Sequence, residues 1–195
     1  MLVFGSLLLC ISALVNGDNV TLGIKKDDNV MNTRSCIYKE RQDLHLFKAN
    51  LVDTFNSLVD WSSEGEKRDC RKWQGVICDK LTGRVIEIDL SSFVGLAGSI
   101  PFFLGGLTSL TYLDLSGNRL VGVIPLSFNN CSSLVQLNLS ENFLIGSVPS
   151  LAGCASLNNL SLGHNFFNGS IPDFNGCFVE CGQTFFGCVA NRPPV

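Results

Sequence analysis

A block of about 24 residues recurs along the second half of the chain and constrains its fold more than any other feature. Residues 118–125, 142–149 and 165–172 each begin with asparagine, have glycine four positions later and end with proline. Three leucines precede each copy at fixed offsets: Leu110, Leu113 and Leu115; Leu134, Leu137 and Leu139; Leu157, Leu160 and Leu162. A fixed period in this range predicts a solenoid whose coils pack against one another.

The prolines that close the coils give their number. They are Pro101, Pro125, Pro149 and Pro172, separated by 24, 24 and 23 residues. The spacing therefore predicts four coils, above the minimum of about three that a stable stack needs. In the first coil, Val85, Ile88 and Leu90 take the positions of the three leucines.

The pattern LxxLxLxxN also predicts the shape of one coil, that of a leucine-rich repeat. The leucines point inward, and the residues between them face outward on a short parallel strand. Asn118 lies where the chain leaves the strand, and its amide can bond backbone groups that would otherwise be unsatisfied. Gly122 permits a tight bend, and Pro125 fixes the backbone after it. The expected fold is an α/β solenoid, a right-handed coil with short parallel strands.

A different block precedes the repeats and has the character of a cap. Leu44, Phe47, Leu51, Phe55 and Leu58 recur every three or four residues, as in an amphipathic helix. Trp61 and Trp73 add bulk beside it. Because the first coil of a solenoid leaves a hydrophobic face bare, we expect residues 36–82 to cover the repeats of residues 83–176.

The N-terminal region has the composition of a secretory leader. Residues 2–15 are almost entirely apolar, too short a run to cross a bilayer comfortably, and small residues near Gly17 suit cleavage. We predict a signal peptide over residues 1–17, a flexible arm over 18–35 and no membrane span in this chain.

Nine cysteines fit an oxidising compartment. Five glycosylation sequons are present, at Asn19, Asn130, Asn138, Asn159 and Asn168.

A fifth coil begins and then loses the pattern. Cys131, Cys154 and Cys177 are 23 residues apart, so Cys177 is in phase with the repeats. The leucine positions after it would hold Glu180, Gln183 and Phe185, of which only Phe185 suits its place. We therefore expect residues 177–195 to be a degenerate repeat with an irregular tail.

Cys131 and Cys154 are expected to be buried thiols, which behave as small hydrophobic residues.

Two motifs together resemble those of plant leucine-rich-repeat receptor-like proteins of the elicitor-receptor and disease-resistance type. One is the repeat LxxLxLxxNxLxGxIP, and the other is the segment DCRKWQGVICD over residues 69–79 with an upstream cysteine, Cys36. The resemblance covers about residues 36–174. It implies a secreted, apoplastic binding module whose full-length relatives lie at the plasma membrane and signal through partner kinases, so a receptor-kinase co-receptor is an expected partner. This chain departs from that pattern in its few repeats, the missing membrane helix, and Arg71 in place of a second adjacent cysteine.

The resemblance also implies a disulfide pattern. The upstream cysteine of such caps pairs with the first of the doublet, which here would join Cys36 to Cys70. Cys78 is then left without its usual partner, because Arg71 occupies that partner's position. A Cys70–Cys78 disulfide is the competing arrangement, and the sequence does not choose between them.

The outward strand positions are the candidate ligand-binding residues, since they would line one concave sheet. They are Glu87, Asp89, Thr111, Tyr112, Asp114, Gln136, Asn138, Asn159, Ser161 and His164. Tyr112 is the only aromatic residue among them and the expected anchor, because aromatic residues dominate binding hot spots. Glycans on Asn138 and Asn159 would obstruct this surface.

The composition argues against several other functions. A net charge of −3 without a Lys/Arg stripe disfavours binding to nucleic acid. No zinc spacing, catalytic constellation or phosphate loop is present, so we expect no cofactor, no metal and no enzymatic activity. The expected function is recognition of an extracellular protein, peptide, glycan or elicitor ligand in defence or cell-surface signalling. The alternatives are an inhibitor of a secreted microbial enzyme, like the polygalacturonase inhibitors, and a truncated receptor fragment with no independent function.

Overall fold

The computed structural model describes residues 36–91, 93, 95–169, 171–172 and 178–180. The predicted signal peptide, the arm and most of the predicted tail lie outside the described residues. One α-helix, α1 (Tyr38–Ala49), opens this part of the chain. The strands that follow are β1 (Leu51–Val52), β2 (Val76–Cys78), β3 (Val85–Asp89), β4 (Ala97–Ser99), β5 (Tyr112–Asp114), β6 (Arg119–Gly122), β7 (Gln136–Asn138), β8 (Phe143–Gly146), β9 (Asn159–Ser161), β10 (Phe166–Phe167) and β11 (Phe178–Glu180). None of the described helices is long and apolar enough to pass through a lipid bilayer.

The strands form two sheets, as the repeat pattern predicts. A six-stranded sheet runs in the order β2-β3-β5-β7-β9-β11, and a five-stranded sheet runs in the order β1-β4-β6-β8-β10. Each of the first four coils contributes one strand to each sheet, and neighbouring coils pair in parallel. The six-stranded sheet is the one that the sequence predicts as the concave binding face.

The leucines of successive coils stack in register. Leu113 pairs with Leu137, and Leu137 pairs with Leu160, along the six-stranded sheet. All three side chains are completely buried. The stack removes a continuous row of aliphatic side chains from water, which stabilises the coil by about 25 cal/mol for each Å² of apolar surface buried. The solenoid prediction is confirmed.

Buried asparagines link consecutive coils. The side-chain amide of Asn118 donates to the backbone oxygens of Leu90, Leu115 and Ser116, and its Oδ1 accepts from the Leu96 amide at 3.2 Å. Asn142 and Asn165 make the equivalent bonds one and two coils later. The predicted role of Asn118 is therefore confirmed.

The cap helix is shorter than its hydrophobic pattern suggests. Helix α1 ends at Ala49, whereas the periodicity predicts a helix that continues to Phe55 and beyond. The Asn50 side chain bonds back to the Leu46 carbonyl at 2.7 Å, and Leu51 then pairs antiparallel with Gly98. The strand pairing of Leu51 with the first coil replaces the helix that the hydrophobic period predicts. Phe55 is therefore 69% exposed instead of buried on a helix face.

Glu40 ties the cap to the first coil. Its carboxylate is buried, accepts a hydrogen bond from the Val85 amide at 2.6 Å and lies 3.1 Å from the Arg84 guanidinium. Burial raises the pKa of Glu40, and this outweighs the opposing influence of the Val85 amide and Arg84. The sequence pattern gave no sign of this contact, since an acidic residue in the first turn of a helix is ordinarily exposed.

The tryptophans pack as the cap prediction requires. Trp61 and Trp73 stack with ring centroids 5.3 Å apart, and the Trp61 indole donates to the Gln74 carbonyl. Both are buried, together with Leu44 and Phe47 of the helix.

The cap carries the disulfide that the family resemblance implies. Cys36 and Cys70 are bonded, and Cys78 is a free, buried thiol whose sulfur lies 3.9 Å from that of Cys70. The Cys70–Cys78 alternative does not form. Cys131 and Cys154 are also free and buried, as predicted.

The fifth coil corrects the predicted phase of the repeats. Val179, rather than Gln183, pairs with Leu160, and Glu180 lies beside Ser161 on the outward face. Val179 is buried and takes the role of the middle leucine. The strand arrives four positions early because the chain between β10 and β11 is shorter than in the preceding coils. Counting from the cysteines alone could not detect this shortening.

Candidate ligand-binding face

The outward residues of the six-stranded sheet form two columns that run across the strands. Column one consists of Glu87, Tyr112, Gln136 and Asn159, which pair in that order. Column two consists of Asp89, Asp114, Asn138, Ser161 and Glu180. The structure therefore brings together nine residues in two rows, eight of them from the predicted set and the ninth, Glu180, from the fifth coil.

Column two is tied into the fold by its own hydrogen bonds. Asp114 Oδ1 accepts from the Ser116 amide and hydroxyl, and its Oδ2 accepts from the Asn138 amide at 2.9 Å. Asp89 and Asn138 close their strands through the same two bonds to the serine two residues later. Asp114 has the predicted outward position but is only 6% exposed, so little of its carboxylate is available to a ligand. Its carboxylate terminates a strand and bridges two coils.

Column one is more available to a ligand. Glu87, Tyr112 and Gln136 are partly exposed and Asn159 is exposed. Thr111, also predicted to bind ligand, is exposed, but its hydroxyl donates to the Ile86 carbonyl of the preceding coil at 2.7 Å. A ligand would thus meet the backbone-anchored Thr111 at the edge and column one along its length.

The electrostatic environment of Tyr112 is strongly negative. Its hydroxyl donates to Asp114 Oδ2 at 3.2 Å. Partial burial and the nearby carboxylates of Asp114, Asp89 and Glu87 raise the pKa of Tyr112 to about 12. Desolvation makes the largest contribution, and each carboxylate opposes formation of a further negative charge. The same field favours a cationic group beside the ring.

His164 lies apart from the columns. It occupies the turn after β9, with φ of 54°, and lines a shallow depression of about 410 Å³. The depression is bordered by Asn118, Glu141, Asn142, Phe143, His164, Asn165 and Phe166. The prediction that His164 belongs to the strand face is wrong, because the chain has already turned towards the five-stranded sheet at this position.

The turn position of His164 requires a left-handed backbone in three successive coils. Gly117, Glu141 and His164 occupy it with φ of 67°, 56° and 54°. We expect Glu141→Gly to stabilise the protein by ~0.5–1 kcal/mol, because glycine adopts this conformation without the clash of a Cβ atom. Glu141→Ala is the matched control, since alanine keeps the clash. Urea unfolding measures both changes, and equal free energies of unfolding for the two variants would contradict the strain argument.

The cysteine sulfurs of the cap form a second cluster. The sulfur atoms of Cys36, Cys70 and Cys78 lie within 4.8 Å of one another. Because Cys36 and Cys70 are bonded, Cys78 alone keeps its thiol there, and burial raises its pKa to about 12. A thiol with so high a pKa is a weak nucleophile and a weak metal ligand at neutral pH.

The predicted glycosylation sites differ in their surroundings. Asn130, Asn159 and Asn168 are exposed, whereas Asn138 is partly buried. The Asn138 side-chain nitrogen, to which a glycan would be attached, donates to Asp114. Asn19 lies outside the described residues. Occupancy of these sites stays a prediction.

The chain is similar to known repeat proteins. The family model described as "Leucine rich repeat" matches residues 104–167. Receptor-like protein EIX1 of Solanum lycopersicum is 40% identical over 99 residues, which cover 45% of this chain and 10% of that protein. The chain thus spans about a tenth of the length of this relative.

Solved structures give the same picture. The PEPR1–AtPEP1 structure matches with a TM-score of 0.65 and 27% identity, over 70% of this chain and 19% of that one. The ectodomain of GASSHO1/SCHENGEN3 from Arabidopsis thaliana, in complex with CASPARIAN STRIP INTEGRITY FACTOR 2, matches with a TM-score of 0.66 and 30% identity, over 76% of this chain and 18% of that one. Together with the stacked leucines and the disulfide-bearing cap, these matches identify the chain as a leucine-rich-repeat protein similar to plant receptor-like proteins and receptor-kinase ectodomains.

Proposed function

We propose that this chain is an extracellular recognition module for cell-surface signalling or defence. Its ligand is a peptide or an extended protein segment that carries basic side chains, and the ligand lies across column one. Tyr112 is the anchor, and Glu87, Gln136 and Asn159 supply polar contacts along the row. The module binds its ligand without chemical change.

The environment of Tyr112 is the observation that carries this proposal. A partly exposed aromatic ring lies near three carboxylates, of Asp114, Asp89 and Glu87. An aromatic face with negative charge around it attracts an arginine or lysine side chain by both cation–π and Coulomb interactions. The two columns contain four carboxylates and no lysine or arginine, so the whole row favours a cationic partner.

The similar structures support a peptide as the ligand class. The GASSHO1/SCHENGEN3 ectodomain was solved with CASPARIAN STRIP INTEGRITY FACTOR 2, and PEPR1 was solved with AtPEP1. Both contain far more of the solenoid than this chain does. The few coils described here suit a short segment, and a co-receptor that adds contacts beside the ligand would extend the interface.

A peptide-display experiment tests the proposal. The secreted protein is used to select from a library of random 12-residue peptides. We expect enrichment of lysine and arginine, together with binding that weakens as salt is raised. Tyr112→Ala should weaken binding of the selected peptides at least ~10-fold, because it removes the anchor, and Glu87→Gln should weaken it ~3–5-fold.

The matched control is Glu141→Gln, which removes the same charge from a different face. It should change binding by less than ~2-fold, since an exposed carboxylate away from the ligand contributes little. Equal effects of Glu87→Gln and Glu141→Gln would contradict a site on column one. A glycan at Asn159 in the protein that binds peptide would contradict it as well.

A further inference from the structure

The outer face of the five-stranded sheet exposes a patch of large apolar side chains. They are Val121, Val123, Phe143, Ile145 and Phe166. The Phe143 and Phe166 rings stack with centroids 6.0 Å apart and planes 15° from parallel, and Phe166 is 63% exposed. A contiguous apolar patch on a soluble protein marks a surface that something else covers.

Asn168 lies at the rim of this patch with a fixed backbone. Its backbone amide donates to the Gly146 carbonyl at 2.9 Å, directly after the pairing of β10 with β8. Exposure alternates along this segment: Phe166 is exposed, Phe167 is buried and Asn168 is exposed. Because residues two apart on an extended strand share a face, Asn168 projects beside Phe166, about 7 Å away along the strand. In the sequence repeat, Val121 and Ile145 occupy the position of Asn168 in the two preceding coils.

Asn168 also begins an acceptor sequence for N-linked glycosylation, Asn-Gly-Ser. We propose that a glycan on Asn168 covers the patch, and that its first N-acetylglucosamine packs on the Phe166 ring. In the attachment step, the side-chain amide nitrogen of Asn168 bonds to C1 of the first sugar of a lipid-linked oligosaccharide. The bond from C1 to the lipid pyrophosphate breaks, the amide loses a proton and the lipid pyrophosphate leaves.

The chemistry of the sugar matches the surface. One face of a pyranose ring presents C–H groups, whose partial positive charge suits the electron-rich face of an aromatic ring. The hydroxyl and acetamido groups on its other sides remain hydrated. The glycan therefore covers the aromatic and aliphatic side chains while presenting a polar exterior.

A second sequon in the same chain provides an internal control. Phenylalanine two residues before a sequon asparagine occurs twice, as Phe128 before Asn130 and as Phe166 before Asn168. Phe128 is completely buried among the leucines, so a sugar on Asn130 has no ring to pack against. The two sites share their local sequence order and differ in whether the aromatic ring is exposed.

The test uses the full chain secreted from a eukaryotic host, with peptide mass spectrometry to read each sequon. We expect Asn168 to be occupied, and Asn168→Gln to lower the thermal unfolding midpoint by ~3 °C. Asn130→Gln should lower it by less than ~1 °C. An endoglycosidase that leaves one N-acetylglucosamine should preserve the midpoint, whereas an amidase that removes the whole glycan should lower it as Asn168→Gln does.

Phe166→Leu separates sugar packing from general effects of glycosylation. In this variant, complete deglycosylation should no longer change the midpoint, because the ring beneath the sugar is gone. An unoccupied Asn168, equal shifts for Asn168→Gln and Asn130→Gln, or an undiminished effect of deglycosylation in Phe166→Leu would overturn the proposal. Self-association of the glycosylated protein that Phe166→Leu prevents would also overturn it, since a second copy would then be the cover. Peptide binding by column one is measured separately, so either proposal can fail alone.

Discussion

Replacing Asn142 with alanine is expected to destabilise the protein by about 4 kcal/mol, one of the largest effects of any single substitution in the described residues. The Asn142 amide donates to the backbone oxygens of Leu115, Leu139 and Ser140, at 2.9, 3.2 and 3.0 Å. Its Oδ1 accepts from the Leu120 amide at 3.0 Å. Alanine would take from the Leu120 amide its acceptor on Asn142, at a cost of about 1–3 kcal/mol, and would remove one hydrogen bond from each of the three backbone oxygens, at about 0.5–1.5 kcal/mol each. Those oxygens keep their bonds from Asn118, Asn165 and Gly117.

Two further variants separate hydrogen bonding from other effects. Asn142→Asp keeps the shape and the acceptor but removes the donors, so we expect a loss similar to that of Asn142→Ala. Asn158→Ala removes an exposed asparagine one coil later and should change stability by less than ~0.5 kcal/mol. The free energies come from urea unfolding with a constant m-value. A loss below ~1 kcal/mol for Asn142→Ala would show that the buried asparagines do not hold the coils together.

The second large effect concerns the cysteine cluster of the cap. Removing Cys36 alone should cost only ~1–2 kcal/mol, whereas removing Cys36 and Cys78 together should cost about 4 kcal/mol. The native disulfide closes an interval of 34 residues, which corresponds to about 4 kcal/mol of chain entropy. With Cys36 replaced by serine, Cys78 lies 3.9 Å from Cys70 and can pair with it across 8 residues, which retains about 2.5 kcal/mol.

The pairing is expected to be chosen during oxidative folding. In the folded protein the high pKa of Cys78 leaves little thiolate to attack the disulfide at neutral pH. Non-reducing peptide mapping of Cys36→Ser should therefore find the Cys70–Cys78 bond, and Cys78→Ser alone should keep the native one. Equal losses for Cys36→Ser and for the double variant would exclude the substitute disulfide.

Much of the solenoid could be predicted from the spacing of a few residue types. Leu113, Leu137 and Leu160 are completely buried in register, because a repeat of constant length returns the chain to the same place in every coil. The role of Asn118 was predictable for the same reason. A polar side chain that is buried at the same position of every coil must form hydrogen bonds, and the backbone groups of neighbouring turns are the partners that recur there. Where the repeat length changes, this reasoning fails, as it does at Val179.

The candidate site was only partly predictable. Alternation along each strand correctly places Glu87, Tyr112 and Asn138 on the outward face. It does not distinguish Tyr112, which is partly exposed, from Asp114, which is buried and whose carboxylate accepts hydrogen bonds from Ser116 and Asn138. A carboxylate that closes a turn and one that faces a ligand have the same place in the pattern.

The sequence by itself determined the repeating coil, the inward leucines and the buried asparagines, because each depends on contacts that recur with the period of the repeat. It also indicated a cap, because the first coil leaves a hydrophobic face to be covered. Tertiary structure alone decided where α1 ends, that Glu40 is buried against Val85, and that Phe166 is exposed while Phe128 is buried. Each of these features depends on a contact between two segments whose separation along the chain does not follow the repeat. The sequence pattern of one segment does not show which other segment it contacts.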